Sequence, residues 1–99
     1  MRIADFSDSL SDPAPAPDFE PPLAALWWSA KGRWDEAHKL VQEEPTANAA
    51  WVHAYLHRVE GDLGNASYWY REAGQPVAGD SLGAEWKRIV SALLGGGKA

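Results

Sequence analysis

Two histidines one helical turn apart, His53 and His57, are the residues whose types and spacing most directly suggest chemistry in this chain. Side chains at positions i and i+4 lie on the same face of an α-helix, where two imidazoles can share one metal ion. Glu60 follows one turn later, Asp62 is close to it along the chain, and His38 is expected on the helix that faces this pair. We therefore consider a metal site, or a small-ligand site, built on His53, His57 and Glu60.

The same two histidines also have a structural interpretation, which the sequence favours. The pattern H-x-x-x-H often occurs by chance, and Ala54 stands where zinc-protease helices have a glutamate. In this interpretation each imidazole is half-buried and hydrogen-bonded to a neighbouring helix. Rings with both nitrogens satisfied would support a structural role, whereas rings that open beside an acid would support a ligand. No cofactor is predicted.

A second group of side chains suggests a surface that binds another protein. Aromatic side chains that lie off the core-facing stripe of a helix are typical of interaction surfaces, and arginine can grip a carboxylate with two parallel hydrogen bonds. Two alternatives remain open: the aromatic rings pack between helices on both sides, and the arginines form solvated ion pairs. The candidate partner-binding residues are Trp51, Tyr55, Arg58, Tyr68, Trp69 and Arg71.

Composition and charge argue against several classes of function. The chain has no cysteine nucleophile, no Gly-x-Ser-x-Gly motif and no phosphate-binding loop, so no enzymatic activity is predicted. Residues 1–22 hold five acids and one base, and residues 23–99 hold nine acids and eight bases. This balance leaves no basic patch for nucleic acid. Because no apolar run approaches the length of a membrane span and the N-terminus lacks a signal-peptide pattern, a cytoplasmic location is expected.

The elements that must hold these residues are predicted to be helices. Hydrophobic stripes at helical spacing predict an all-α fold of five helices, joined by short turns in antiparallel pairs. Gly32, Gly61 and Gly74 are expected to end three of them. The predicted helices begin near residues 20–22, 33, 49, 62 and 80–81 and end near residues 31, 43, 60, 73 and 94.

The chain divides into a folded domain and two flanking segments. Residues 20–94 form the predicted helical domain, and residues 95–99 form a flexible glycine-rich end. Residues 1–19 are rich in Pro and Asp, a composition that favours an extended tail. This tail is either a disordered leader or a segment that docks onto its own domain or a neighbouring one through apolar residues such as Phe6 and Leu10.

An internal repeat with a period of 29 residues relates the first two predicted helices to the next two. The glycine of the shared pattern allows a tight turn, the large apolar residue is expected to fill the space between two helices, and the alanine lets their axes approach closely. The equivalent pairs are Gly32 with Gly61, Trp34 with Leu63, and Ala37 with Ala66.

The second unit of this repeat resembles the tetratricopeptide family. The second helix of that repeat reads G-D-Y-x-x-A-x-x-x-Y-x-x-A, and the matching residues here are Gly61, Asp62, Leu63, Ala66, Tyr70 and Ala73. Residues 66–73 are also similar to the A-x-x-W-Y-x-x-A segment of Sel1-like repeats, and residues 51–74 are similar to a segment of small bacterial proteins. The first unit departs from the pattern, with Val41 and Glu44 where Tyr and Ala are usual.

The resemblance implies both a fold and a function. The fold would be a tetratricopeptide-like array of antiparallel helical hairpins, with the fifth helix as a C-terminal capping helix. The function would be that of a scaffold or adaptor module without catalysis, whose partner is a protein or peptide segment. Because two units leave the outer repeat faces hard to cap, a homodimer is a further expectation.

Overall fold

The structure, a computed structural model, describes residues 1–95. All regular secondary structure in this part of the chain is helical, as predicted, but it contains six α-helices rather than five. The additional helix is the first, and a single 3-10 turn extends it to Ser11. The helices are α1 (Ile3–Asp8), α2 (Pro21–Ala30), α3 (Trp34–Val41), α4 (Ala47–Glu60), α5 (Leu63–Ala73) and α6 (Leu82–Gly95).

Left-handed glycines end α2 and α4 and set the tight turns that follow. Gly32 has a φ of 77° and Gly61 a φ of 88°, in the region that residues with a Cβ avoid. After α4, the N–H of Gly61 donates to the carbonyl of Arg58, and the N–H of Asp62 donates to the carbonyl of His57. These bonds satisfy carbonyls that the helix leaves unpaired, and the short turn returns α5 onto α4.

Side-chain oxygens cap the beginnings of the last three helices. Each oxygen accepts a hydrogen bond from the backbone N–H three residues later, which satisfies an amide that the helix itself cannot pair. The caps fix where each helix starts and therefore which side chains face the core. The capping residues are Thr46 for α4, Asp62 for α5 and Ser81 for α6, at distances of 3.1, 3.2 and 3.1 Å.

The core lies where two pairs of helices meet. α2 packs along α3 and α4 packs along α5, and the two pairs contact each other mainly through α4. α6 closes the core against α1, α2 and α4. Fully buried side chains at these contacts include Leu26, Trp27, Val52, Leu56, Ile89 and Val90. The more specific tetratricopeptide-like geometry stays a prediction.

The N-terminal segment is helical and packed on the core. Phe6 is fully buried, and its ring centroid lies 5.4 Å from that of Phe19 and 5.8 Å from that of Trp86. The predicted extended conformation is therefore wrong for residues 3–11. The physical reason is that the apolar residues of this segment recur at helical spacing, so a short helix can bury them together despite the acidic, proline-rich composition around it.

The last helix, α6, includes Gly95, the first residue of the predicted glycine-rich end. The rest of that end, residues 96–99, lies outside the described residues. The predicted bounds of the five helices from α2 to α6 lie close to the observed ones. No helix within residues 1–95 combines the length and the hydropathy that crossing a membrane requires.

Candidate functional site

Three histidines, which are all the histidines of the chain, converge where α3 meets α4. His38 comes from α3, and His53 and His57 come from successive turns of α4. One ring nitrogen from each lies within 4.8 Å of the others, and the Nε2 atoms of His38 and His53 are 3.1 Å apart. His53 and His57 are buried, whereas His38 is partly exposed. We call this set the three-histidine cluster.

Trp34 positions His38 opposite the histidines of α4. Its indole N–H donates a 2.7 Å hydrogen bond to the carbonyl oxygen of Leu56, which ties the beginning of α3 to α4. The imidazole of His38, one turn further along α3, stacks on the indole of Trp34 with ring centroids 4.7 Å apart and planes 11° apart. The position of His38 therefore depends on how α3 packs on α4, which the sequence pattern does not specify.

A second indole covers the other side of the cluster. Trp69 of α5 stacks on His53 with ring centroids 4.0 Å apart and planes 16° apart. The imidazoles of His38 and His53 are thus enclosed between two tryptophans, one from α3 and one from α5. Stacking of this kind restricts the rotation of both imidazole rings and keeps their Nε2 atoms directed at each other.

Burial favours the neutral forms of His38 and His53. The pKa of His53 is lowered from 6.5 to about 4, first because burial disfavours the charged ring and then because His38 and His57 oppose an added positive charge. The pKa of His38 is also lowered, mainly by burial and next by His57, against smaller opposing effects of Glu60 and Asp35. A neutral imidazole keeps one nitrogen free as a hydrogen-bond acceptor or a metal ligand.

One nitrogen of the cluster has no hydrogen-bond partner. Nδ1 of His53 is the one buried side-chain nitrogen or oxygen within residues 1–95 that lacks one. Leaving a buried polar group unpaired costs about 1–3 kcal/mol. An apolar side chain at this position would avoid that cost.

Two acidic residues lie at the end of the cluster nearest to the turn after α4. Nδ1 of His57 is 3.4 Å from Oε2 of Glu60, three residues later on the same helix. The carboxylate of Asp62 instead caps α5, where it accepts hydrogen bonds from the side-chain and backbone amides of Asn65 at 3.0 and 3.2 Å. These bonds lower the pKa of Asp62. Of the predicted residues, His57 thus lies beside both His53 and Glu60, and His38 faces the two histidines of α4 from α3.

The residues predicted to bind a partner do not share one exposed surface. Tyr55 is buried, and Trp51 and Trp69 are partly buried, the latter against the three-histidine cluster. Tyr68, which is 46% exposed, and Arg71 are open to solvent on α5. The helical pattern shows that these aromatic side chains lie off the core-facing stripe of their helix. It does not show that other helices also pack against a second face of that helix.

Arg58, the sixth of these residues, belongs to a buried polar network. Its guanidinium donates to Oε1 of Glu85 at 2.8 Å and to the backbone carbonyl of Asp80. Glu85 is fully buried and also accepts a 2.5 Å hydrogen bond from the hydroxyl of Tyr70. Burial and then this contact with Glu85 raise the pKa of Tyr70. The network joins α4, α5 and α6. Within it, the carboxylate of Glu85 compensates the charge of Arg58.

Leu63 is 64% exposed, so the prediction that it fills the space between α4 and α5 is wrong. Trp34, its equivalent in the first unit, has a longer side chain and does reach the neighbouring helix. Leu63 and Val77, which is 62% exposed, instead line a groove of about 370 Å³ between α5 and the segment before α6. Ala66, Tyr70 and Ala78 complete the apolar part of its lining.

Comparison with known proteins assigns neither a family nor a function to this chain. The chain matches no protein-family model, and no curated protein and no solved structure matches it. The resemblance to tetratricopeptide and Sel1-like repeats therefore stays a prediction. A function for this chain rests on the geometry and the chemistry of its own residues.

Proposed function

We propose that this protein binds a divalent transition-metal ion of the zinc class in the three-histidine cluster. The observation that carries the proposal is the convergence of three imidazoles, with two Nε2 atoms 3.1 Å apart. Two nitrogens bound to one tetrahedral zinc ion, each at ~2.0–2.1 Å, would lie ~3.3 Å from each other. The separation between His38 and His53 is therefore close to the one that shared coordination requires.

The third imidazole needs a small movement to join the other two. Because the ligand atoms lie within 4.8 Å of one another, His57 would have to approach by no more than ~1.5 Å to reach tetrahedral spacing. A water molecule could supply the fourth ligand, since His38 is partly exposed and solvent can reach the cluster beside it.

The chemistry of the ligands favours one class of ion. Imidazole nitrogen suits Zn²⁺, Cu²⁺ and Ni²⁺, whereas Mg²⁺ and Ca²⁺ prefer oxygen ligands. The chain has no cysteine, so no thiolate can compete for the ion. Since His38 and His53 have lowered pKa values, two of the three ligands need lose no proton at pH 7. The bound ion would connect α3 to α4.

Calorimetric titration of the untagged, chelator-treated protein with Zn²⁺ tests this proposal. We expect one ion to bind per chain with micromolar or tighter affinity, and Mg²⁺ to give no signal. Because the chain contains no histidine outside the cluster, the signal cannot come from another imidazole. Absence of zinc binding by a protein that still melts cooperatively would refute the proposal.

Paired variants assign the binding to the cluster. His38→Phe keeps an aromatic ring beside Trp34 but removes a ligating nitrogen, and we expect it to weaken zinc binding by more than ~10-fold. Tyr68→Phe also changes one polar atom on an aromatic ring, but at an exposed position on α5. It should therefore leave the affinity unchanged. Equal affinities for the two variants would place the ion elsewhere.

We also propose a second function, protein binding through the groove beside α5. The observation that favours it is the exposure of Leu63 and Val77, which line one apolar groove. Clustered exposed apolar side chains often mark interaction sites. Tyr68 and Arg71, the exposed members of the predicted partner-binding set, would lie on the same helix. This surface would suit a scaffold or adaptor built on a tetratricopeptide-like array.

Sedimentation velocity tests one specific partner for this groove, a second copy of the chain. We expect dimerisation at micromolar concentration, and we expect Leu63→Ser to abolish it by making the groove polar. Glu72→Gln, an exposed substitution on the same helix outside the groove, serves as the matched control. A monomer at every concentration would exclude the second copy as the occupant.

A further inference from the structure

We propose that Glu60 is a positioning residue that accepts a hydrogen bond from Nδ1–H of His57 and thereby leaves Nε2 of His57 as the metal ligand. The inference rests on the proposed metal-binding function. Within that site it distinguishes a residue that binds the metal, His57, from a residue that orients it, Glu60. Sequence spacing alone suggests Glu60 as a direct ligand beside His53 and His57. The geometry points to a supporting role for its carboxylate instead.

The first step of the argument is the contact between the two side chains. Oε2 of Glu60 lies 3.4 Å from Nδ1 of His57, and the two residues are three positions apart on the last turn of α4. The imidazole is buried, whereas the Glu60 side chain is 36% exposed. The carboxylate therefore reaches the buried ring from the solvent side, and it approaches Nδ1 in particular.

The second step concerns the chemistry of the imidazole ring. A neutral imidazole has one N–H and one free lone pair, and a carboxylate beside Nδ1 favours the tautomer with its proton on Nδ1. The lone pair then lies on Nε2, on the opposite side of the ring. Histidines that bind metals commonly donate their other N–H to a carboxylate in this way.

The third step concerns the other two ligands. His38 and His53 already approach each other through their Nε2 atoms, and the His57 ring lies 4.9 Å from the ring of His53 and 5.4 Å from that of His38. An Nε2 ligand from His57 would complete a set of three equivalent nitrogens. The other nearby acid, Asp62, is held by Asn65 at the cap of α5, which leaves Glu60 as the carboxylate available to His57.

Nuclear magnetic resonance of the metal-free protein tests the orientation without depending on zinc. Long-range correlations between ring protons and nitrogens identify which nitrogen of His57 carries the proton at alkaline pH, where imidazoles are neutral. We expect the Nδ1–H tautomer in the wild-type protein and a shift towards Nε2–H in Glu60→Ala. An Nε2–H tautomer in the wild-type protein would overturn the inference.

Zinc titration of two Glu60 variants tests the consequence for the metal. Glu60→Ala should bind zinc about 10- to 100-fold more weakly, the usual loss when a supporting carboxylate is removed. Glu60→Gln should lose less, because its amide oxygen can still accept a hydrogen bond from Nδ1–H of His57. Glu43→Ala removes an exposed carboxylate outside the cluster and should change nothing.

Four outcomes of these measurements separate the alternatives. Equal, large losses in Glu60→Ala and Glu60→Gln would show that Glu60 is itself a ligand. Zinc coordination by Nδ1 of His57 would exclude the proposed hydrogen bond and overturn the inference. Unchanged affinity in Glu60→Ala would remove any role for the residue. Failure of the wild-type protein to bind zinc would instead refute the metal function on which the inference rests, whatever tautomer His57 adopts.

Discussion

At the scale of single residues, the neutral state of His53 has a measurable consequence for stability. Its pKa is about 4 in the folded chain and near 6.5 without burial, so the unfolded chain binds more protons between these two values. Stability of the metal-free protein should therefore fall as the pH is lowered from about 6.5 to about 4, by up to ~3 kcal/mol. Urea unfolding in the presence of a chelator measures this loss.

His53→Leu provides the control for this pH dependence. The substitution removes the titrating imidazole and its unpaired Nδ1 atom, so the variant should show a flatter profile over the same pH range. Carboxylates that titrate at low pH are common to both proteins and cancel in the comparison. Equal slopes for wild type and variant would contradict a lowered pKa at His53.

The polar network around Arg58 gives a second prediction at this scale. Arg58→Met would leave the fully buried Glu85 without its cation, and we expect a loss of about 3–5 kcal/mol in the free energy of unfolding. Arg71→Met, on the exposed side of α5, should change it by less than ~0.5 kcal/mol. Denaturant unfolding of both variants checks the difference. Similar small effects would mean that Arg58 is free for a partner.

At the scale of helices, replacing a glycine by alanine should have opposite effects on stability at a turn and inside a helix. Gly61 adopts a φ of 88° after α4, so Gly61→Ala should destabilise the protein by about 1–2 kcal/mol. Gly64 lies inside α5 with no atom near the position of an added Cβ, so Gly64→Ala should stabilise it by up to ~1 kcal/mol. Thermal melting of the two variants gives the comparison. Shifts of the same sign would contradict the assigned turn.

The helices from α2 to α6 could be predicted because their ends carry local signals. Gly32, Gly61 and Gly74 have the left-handed backbone that glycine permits, and side-chain caps precede the last three helices. The first helix could not be predicted in the same way. Its acids and the neighbouring prolines resemble an extended segment, and the burial of Phe6 depends on contacts with residues far along the chain.

The candidate site could be predicted residue by residue only where one helix determines it, although the sequence also places His38 on the facing helix. The spacing of His53 and His57 on α4 fixes their shared face, and Glu60 follows on the same helix. The approach of His38 requires packing between helices, through the hydrogen bond from Trp34 to α4. Leu63 shows what a match between repeats does not predict. It is equivalent in sequence to Trp34, but its side chain is too short to reach the neighbouring helix as Trp34 does.

At the scale of the whole molecule, the N-terminal helix is a part of the folded core. Phe6 is fully buried against Phe19 and Trp86. Phe6→Ala should therefore reduce the free energy of unfolding by about 3–5 kcal/mol. Ser7→Ala, an exposed change on the same helix, should have little effect. Unfolding curves that coincide for Phe6→Ala and wild type would show that the helix is not docked in solution.

The contact between Phe6 and Trp86 also bears on the order in which the molecule folds. The two residues are far apart along the sequence, whereas the helices of each pair are connected by a short turn. Contacts between distant residues carry a larger entropic cost of chain closure, so we expect this contact to form after the rate-limiting step. Phe6→Ala should then speed unfolding with little change in the folding rate, which stopped-flow kinetics can measure. The N-terminal helix would determine how long the folded state persists rather than how quickly it is reached.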